Sequence, residues 1–114
     1  MGLKRIAVEF GMGSALRSGD PTSAAVRAVE NALWHNLLTV AQAFGKTPTD
    51  MVIDVEIACP HPDKLDTSRV HSVFPYGQVS VSAKEGGLSI PKPEGGETLM
   101  AHAAIIVSLE LEDA

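Results

Sequence analysis

Residues 20–45 read DPTSAAVRAVENALWHNLLTVAQAFG, and this stretch predicts the one long helix around which the rest of the chain folds. Asp20 is a favoured N-cap residue, Pro21 fits the first helical position, and Gly45 provides a left-handed stop. The apolar side chains recur at helical spacing along one stripe, namely Val26, Val29, Leu33, Leu37, Val40 and Phe44. We therefore predict a helix over residues 21–44 that is about 36 Å long.

The side of this predicted helix opposite the stripe carries few charges. Only Arg27 and Glu30 are charged, whereas a solvent-facing helix surface normally carries several charges. Its other members are small or hydrogen-bonding, among them Ala24, Ala28, Ala32, His35 and Asn36. Asn31, His35 and Thr39 form a polar ridge at i, i+4 and i+8. We expect another subunit to cover this side of the helix, with the ridge either lining an intersubunit pocket or fixing the register of the helices between subunits. The alternative is that the two sides of the helix meet different parts of the core of a single chain.

Apolar residues alternate with polar ones in the segments around this helix, which predicts β-strands. The predicted strands cover residues 3–10, 51–59, 78–84, 88–90 and 98–111, and Gly86-Gly87 predicts a hairpin turn between the third and the fourth. The order β-α-β-β-β-β predicts an α+β fold, a single domain over residues 1–114 in which one long helix packs on a four- or five-stranded sheet. Because one helix covers one face only, we expect homo-oligomerisation to complete the core.

Composition and charge exclude several classes of protein. The net charge is −5, and the only adjacent pair among the nine basic residues is Lys4-Arg5. Nucleic-acid binders cluster such residues, so we expect no nucleic-acid partner. No run approaches the roughly 20 apolar residues that span a bilayer. No apolar leader precedes the first strand, and Cys59 is the single cysteine. We therefore expect a cytoplasmic protein with no membrane partner.

The segment between the first strand and the helix contains most of the residues that we predict to bind a ligand. Backbone N–H groups and the positive end of a helix dipole favour an anion at such a junction. The predicted ligand-binding residues are Gly11, Gly13, Ser14, Arg17, Ser18 and, within the helix, Asn36. The alternative is a loop whose glycines merely adopt positive φ, since neither a dinucleotide-binding motif nor a Walker A motif is present. Asp20 at the helix cap also opposes an anion.

Histidines supply the candidate catalytic groups. His35 interrupts the apolar helix, and His61 follows the second strand close to Cys59 and Asp63. Cys59 and His61 form either a thiol–imidazole pair or, joined by Asp63 or His71, a metal site. Alternatively, Cys59 is a small buried apolar residue. We predict no cofactor and no metal.

Two further polar features lie on predicted strands. Asp54 and Glu56 share one face of the second strand, about 7 Å apart. If buried, such a pair performs acid–base work or holds a cation; the alternative, which we favour, is an ordinary solvated strand face. His102 lies in the last strand, and we interpret it as a structural histidine with satisfied hydrogen bonds.

Several segments together resemble a family of short prokaryotic and plant proteins known only as conserved hypothetical. They span nearly the whole chain and are Gly11-Met12-Gly13, residues 20–25, residues 27–29, His35-Asn36, Pro60-His61-Pro62, residues 74–77, Gly86-Gly87 and residues 103–105. More remotely, the element order is similar to one repeat of the ring-opening amidohydrolases, cyanuric acid hydrolase and barbiturase. Those enzymes carry three repeats around a pseudo-threefold axis, so the resemblance implies a homotrimer.

The chain departs from those enzymes at their reactive positions. Residues 11–14, Gly-Met-Gly-Ser, and residues 58–60, Ala-Cys-Pro, stand where each repeat offers a Lys and a Ser-Gly-Gly. Because the nucleophile–base pair is not reproduced, the resemblance supports assembly rather than hydrolysis.

These features predict an oligomeric protein that binds a small polar or anionic molecule between subunits. The predicted pocket combines the Gly11–Asp20 loop, the start of the helix and the Pro60–Asp63 strand end. If the protein is an enzyme, we expect a hydrolase or an isomerase in which Arg17 anchors the substrate and His35 or His61 is the acid–base group. The rival interpretation is a non-catalytic structural or interaction protein whose polar ridge only specifies assembly.

Overall fold

The computed structural model describes residues 2–33 and 40–111. The strands within them are β1 (Gly2–Ala15), β2 (Val52–Cys59), β3 (Gln78–Glu85), β4 (Leu88–Pro91) and β5 (Glu97–Leu111). The helices are α1 (Pro21–Leu33), α2 (Val40–Ala43) and α3 (Thr67–His71), with 3₁₀ turns at Pro48–Asp50 and Pro62–Lys64. The predicted α+β class is confirmed. None of the helices in these ranges is long and apolar enough to cross a membrane.

β5 is the central strand of a five-stranded sheet. β1 runs antiparallel along one edge of β5, while β2 and β4 share the other edge, both antiparallel to β5. β3 pairs in parallel with β2 at the far edge, so the order is β1-β5-β2-β3 with β4 beside β5. A parallel pair requires a crossover connection, and the segment that contains α3 provides it.

The predicted hairpin between the third and fourth strands is wrong, because β4 pairs with β5 and not with β3. Gly86 and Gly87 instead carry the chain across the end of β2. A methyl group at Gly86 would lie 2.8 Å from the Cβ atom of Ala58. One at Gly87, where φ is +67°, would lie 2.0 Å from the carbonyl oxygen of Met100. The crossing therefore requires residues without side chains.

β1 continues to Ala15, whereas the alternation pattern predicts an end at Phe10. Gly11 and Gly13 are consequently strand residues and not loop residues. A methyl group at Gly11 would lie 2.2 Å from the carbonyl oxygen of Ala28. Their missing Cβ atoms let α1 approach the sheet at backbone distance.

Small residues form the side of α1 that faces the sheet. Its fully buried members are Ala24, Ala25, Ala28, Val29 and Ala32. The expectation that another subunit covers the alanines of this side is wrong, because they meet the core of their own chain. By contrast, Val26 and Leu33 of the predicted stripe are only partly buried. The alternative in which both sides of the helix meet one core is correct for this part of α1.

The core lies between α1 and one face of the sheet. Alternate residues of β2 and β5 line it, and these are Ile53, Val55, Ile57, Cys59, Ala101, Ala103, Ile105, Val107 and Leu109. A bulge between Arg5 and Ala7 shifts the alternation of β1. Ala7 therefore lies opposite buried Val107, and Phe10 points to the other side of the sheet. We call that other side, away from α1, the open face.

Candidate functional site

The loop between β1 and α1 is held by one side chain from the start of β5 and one from the loop that joins β4 to β5. Thr98 donates a hydrogen bond from Oγ1 to the carbonyl oxygen of Leu16 (3.1 Å), and Lys92 donates from Nζ to that of Arg17 (2.8 Å). The Ser18 hydroxyl accepts a hydrogen bond from the backbone N–H of Asp20. These contacts fix the loop at the end of the sheet where β1 ends and β5 begins.

Asp20 caps α1 as predicted. Its carboxylate accepts hydrogen bonds from the backbone N–H of Thr22 (3.1 Å) and from the hydroxyl of Ser23 (2.8 Å). Partial burial raises the pKa of Asp20, but the hydrogen bonds from Ser23 and Thr22 outweigh it and hold that pKa below its ordinary value. The carboxylate thus occupies the N-terminus of the helix, so the helix itself does not offer a vacant anion site.

The arginine hollow is a cavity of about 380 Å³ lined by Ser14, Leu16, Arg17, Ser18 and Arg27. The guanidinium group of Arg27 reaches from α1 to the outer edge of β1, where it donates to the carbonyl oxygen of Ser14. Within the described parts of the chain, no carboxylate lies within 4.0 Å of either guanidinium group. Two arginines that have no carboxylate partner among the described residues therefore line one small cavity.

Three predicted ligand-binding residues, Ser14, Arg17 and Ser18, thus line one cavity. Gly11 and Gly13 do not line it, since their Cα atoms lie against α1. Sequence reasoning missed Arg27 as a lining residue. The available signal was its position as one of two charges on a helix otherwise built from neutral residues.

His61 lies on the other side of β5 from the arginine hollow, at the end of β2. It adopts a left-handed backbone conformation with φ of 53°, which is uncommon for a residue with a side chain. Its Nε2 atom lies 2.8 Å from a carboxylate oxygen of Glu97, whose other oxygen accepts a hydrogen bond from the Ser89 hydroxyl (2.7 Å). The hydrogen bond from Ser89, followed by that from His61, lowers the pKa of Glu97. Within one chain, Arg17 and His61 therefore do not line the same cavity.

Glu97 is the central member of this Ser–Glu–His arrangement. A nucleophilic triad places the histidine between the hydroxyl and the carboxylate. Here the imidazole has no contact with the Ser89 hydroxyl, so the arrangement orients His61 but does not activate a nucleophile.

Cys59 is fully buried on the apolar side of β2, and burial raises the pKa of its thiol. Its side chain does not pair with His61, which bonds to Glu97 instead. The prediction of a small buried apolar residue is confirmed. Among the residues that the structure describes, no three His, Cys, Asp or Glu side chains come together as metal ligands.

A second cavity, which we call the open-face hollow, has a volume of about 240 Å³. Its floor includes Ala58 and Ala104, and its ionisable members Glu56, Lys84 and His102 come from three neighbouring strands, β2, β3 and β5. Our interpretation of His102 as a satisfied structural histidine is wrong, because it is exposed and makes no hydrogen bond to any described residue. The open side of the sheet places it in solvent.

Of the polar ridge predicted along the helix, only Asn31 lies within the residues that the structure describes. Asn31 accepts a hydrogen bond at Oδ1 from the backbone N–H of Met12 (3.1 Å) and so caps the outer edge of β1 within its own chain. The candidate residues His35 and Asn36, and the ridge residue Thr39, lie outside the described residues.

Comparison with known proteins identifies relatives of unknown activity. A family model described as "Conserved hypothetical protein (Lin0512_fam)" matches residues 5–107. The chain is similar to a crystal structure of an FtsZ-like protein of unknown function from Nostoc punctiforme, with 36% identity and a TM-score of 0.86 over 97% of this chain and 99% of that one. A crystal structure of an uncharacterized protein from Pseudomonas aeruginosa aligns at 18% identity, with a TM-score of only 0.38, over 96% of this chain and 84% of that one. No curated protein matches the chain.

Proposed function

The chain belongs to this family of conserved hypothetical proteins, and from that premise we propose that it is a self-associating protein that binds a small anionic molecule in the arginine hollow. One observation carries the proposal. Two arginines, Arg17 and Arg27, line one cavity of about 380 Å³, and neither has a carboxylate partner among the described residues. The predicted cytoplasmic location remains part of the proposal.

The chemistry of the lining favours a carboxylate or a phosphate group. A guanidinium group presents a planar fork of N–H donors that matches two oxygens of such an anion. Arg27 uses part of its fork on the carbonyl oxygen of Ser14, whereas the side chain of Arg17 makes no hydrogen bond or ion pair with a described residue. The ammonium group of Lys92 lies nearby on the carbonyl oxygen of Arg17 and adds positive potential. In a chain of net charge −5, this cluster is a local reversal of sign.

Binding is a better proposal than catalysis for the arginine hollow itself. The described lining holds neither an imidazole, a thiol nor a carboxylate, so it lacks a group for general acid–base work at neutral pH. A hydrolase or isomerase activity would instead draw on His61, which Glu97 orients. Such an activity would require the arginine hollow of one subunit to meet His61 of another.

Self-association is the second component of the proposal. α1 packs on one face of the sheet only, and the remote resemblance to a three-repeat enzyme implies a homotrimer. Asn31 already has a partner within its chain, which weakens the rival interpretation that a polar helix ridge alone specifies assembly.

Native mass spectrometry of the protein as purified tests both components together. We expect an oligomer that carries a small extra mass. Isothermal titration calorimetry with inorganic phosphate and with succinate then measures the binding of each class of anion. Arg17→Ala removes charge-assisted hydrogen bonds worth about 1.5–3 kcal/mol, so we expect at least a tenfold loss of affinity.

Arg5→Ala is the matched control for this titration. Arg5 is exposed, as Arg17 is, but it lies in β1 about 30 Å along the strand from Ser14. We expect its affinity for the anion to match that of the wild type. Equal affinity of Arg17→Ala and wild type, or no heat with either anion, would contradict the proposed binding.

A further inference from the structure

We propose that a second copy of this chain docks on the apolar half of the open face, the half formed by β1, β5 and β4. This inference rests on the proposed self-association and names the surface that carries it. It also moves the expected contact from the polar side of the helix to the uncovered side of the sheet.

The cross-strand register places a continuous apolar band on this half of the open face. Residues opposite each other in neighbouring strands share a face, and the relevant pairs are Phe10 with Ala104, Met12 with His102, Leu88 with Met100, and Ile90 with Thr98. Ala101 and Ala103, which alternate with these β5 residues, point into the core. The band therefore runs across three strands on the side away from α1.

The exposed area of the band is close to that of one side of a stable interface. Phe10 is 73% exposed, and Met12, Leu88 and Ile90 are 57–58% exposed. If each of the four presents roughly 170 Å² when free, the band exposes about 400 Å² of apolar surface. One partner of a standard interface contributes about 800 Å², of which roughly 57% is apolar, or about 450 Å².

The charges around the band suit a second copy of the same chain. The other half of the open face carries Glu56 and Lys84 on the neighbouring strands β2 and β3. Beyond the end of the band, Arg5 and Glu110 lie two positions apart in the register of β1 and β5, because Glu110 pairs with Leu3 and Arg5 pairs with Ser108. A surface that carries both signs on its rim can pair opposite charges with a rotated copy of itself, as contact between identical subunits requires. A partner of a single strong charge would meet repulsion at one of these positions.

Sedimentation velocity across a range of micromolar concentrations tests this surface. We expect the wild type to self-associate, and Phe10→Ser and Leu88→Ser each to raise the dissociation constant at least about tenfold, as for anchors at the centre of an interface. Phe44→Ser is the matched control, because Phe44 is 45% exposed but follows α2 and lies outside the band. Both test residues are exposed, so circular dichroism should show unchanged folds; if one variant fails to fold, the other provides the test.

The possible outcomes separate the docking surface from self-association itself. Weakened association in Phe10→Ser or Leu88→Ser with unchanged association in Phe44→Ser supports the inference. A wild type that self-associates while both test variants associate equally well overturns the surface and leaves self-association standing. A wild type that stays monomeric overturns both. Weakening by Phe44→Ser alone places the interface elsewhere and also overturns the proposed surface.

Discussion

Gly11→Ala tests the close approach of α1 to β1. A methyl group at this position would lie 2.2 Å from the carbonyl oxygen of Ala28, 2.6 Å from the backbone nitrogen of Ala32 and 3.0 Å from the Ala32 Cβ atom. The two shortest contacts are to backbone atoms of α1, which cannot rotate away as a side chain could. Ordinary contacts begin at 3.4 Å, so the helix must retreat from the sheet by about 1 Å in a close-packed core.

The expected loss of stability follows from this displacement. Overpacking a core costs about 1–3 kcal/mol, and a clash with backbone belongs at the upper end of that range. The loss of chain freedom in the unfolded state returns about 0.4–1 kcal/mol for a Gly-to-Ala change. We therefore expect a net fall of about 2 kcal/mol in the free energy of unfolding. For a domain of this size that corresponds to a fall in Tm of about 8 °C.

The assay is thermal unfolding followed by circular dichroism at one fixed protein concentration, because self-association makes Tm depend on concentration. Gly2→Ala is the control, since nothing lies within 4 Å of a methyl group placed there. We expect the control to melt with the wild type. If Gly11→Ala melts within about 2 °C of the wild type, the helix is not held against the strand as described.

Two further predictions concern single hydrogen bonds. Thr22→Val removes the buried hydroxyl that accepts a hydrogen bond from the backbone N–H of Asp66 (2.9 Å). We expect the free energy of unfolding, measured in urea, to fall by about 1–3 kcal/mol, whereas Thr22→Ser should retain most of the stability. Equal loss in both variants would contradict this. Ser89→Ala removes the main cause of the lowered Glu97 pKa, so carbon-13 NMR titration should show that pKa rising toward its ordinary value. A carboxylate with a lowered pKa stabilises the fold above its unfolded-state pKa and loses that effect as pH falls through its folded-state pKa; an unchanged Glu97 titration in Ser89→Ala would show that the Ser89 hydroxyl is not its donor.

The local pattern determines several elements of this fold. Alternation along residues 51–59 predicts β2, because one face of that strand meets the core and the other does not. Asp20 and Pro21 predict the start of α1, because capping depends only on residues adjacent in sequence. Arg17 and Ser18 were identified as lining residues for the same reason, since a strand-to-helix junction can be recognised locally.

Strand pairing, by contrast, is decided between segments that are distant in sequence. Gly86-Gly87 is compatible with a hairpin, and only the position of β5 beside β2 shows that the chain crosses over instead. Gly11 and Gly13 are likewise compatible with a loop. Their role became visible only against the α1 backbone, since a glycine chosen for close packing and one chosen for a turn look alike in sequence.

The sequence by itself determined the α+β class, the start of the helix and the residues of one cavity wall, because each depends on neighbours along the chain. Tertiary structure alone decided that Arg27 completes that wall, that His61 contacts Glu97, and that the small side of α1 is buried within its own chain. The physical reason is that these contacts join residues far apart in sequence. Their free energy depends on the packing of the whole sheet against the helix, which no local pattern encodes.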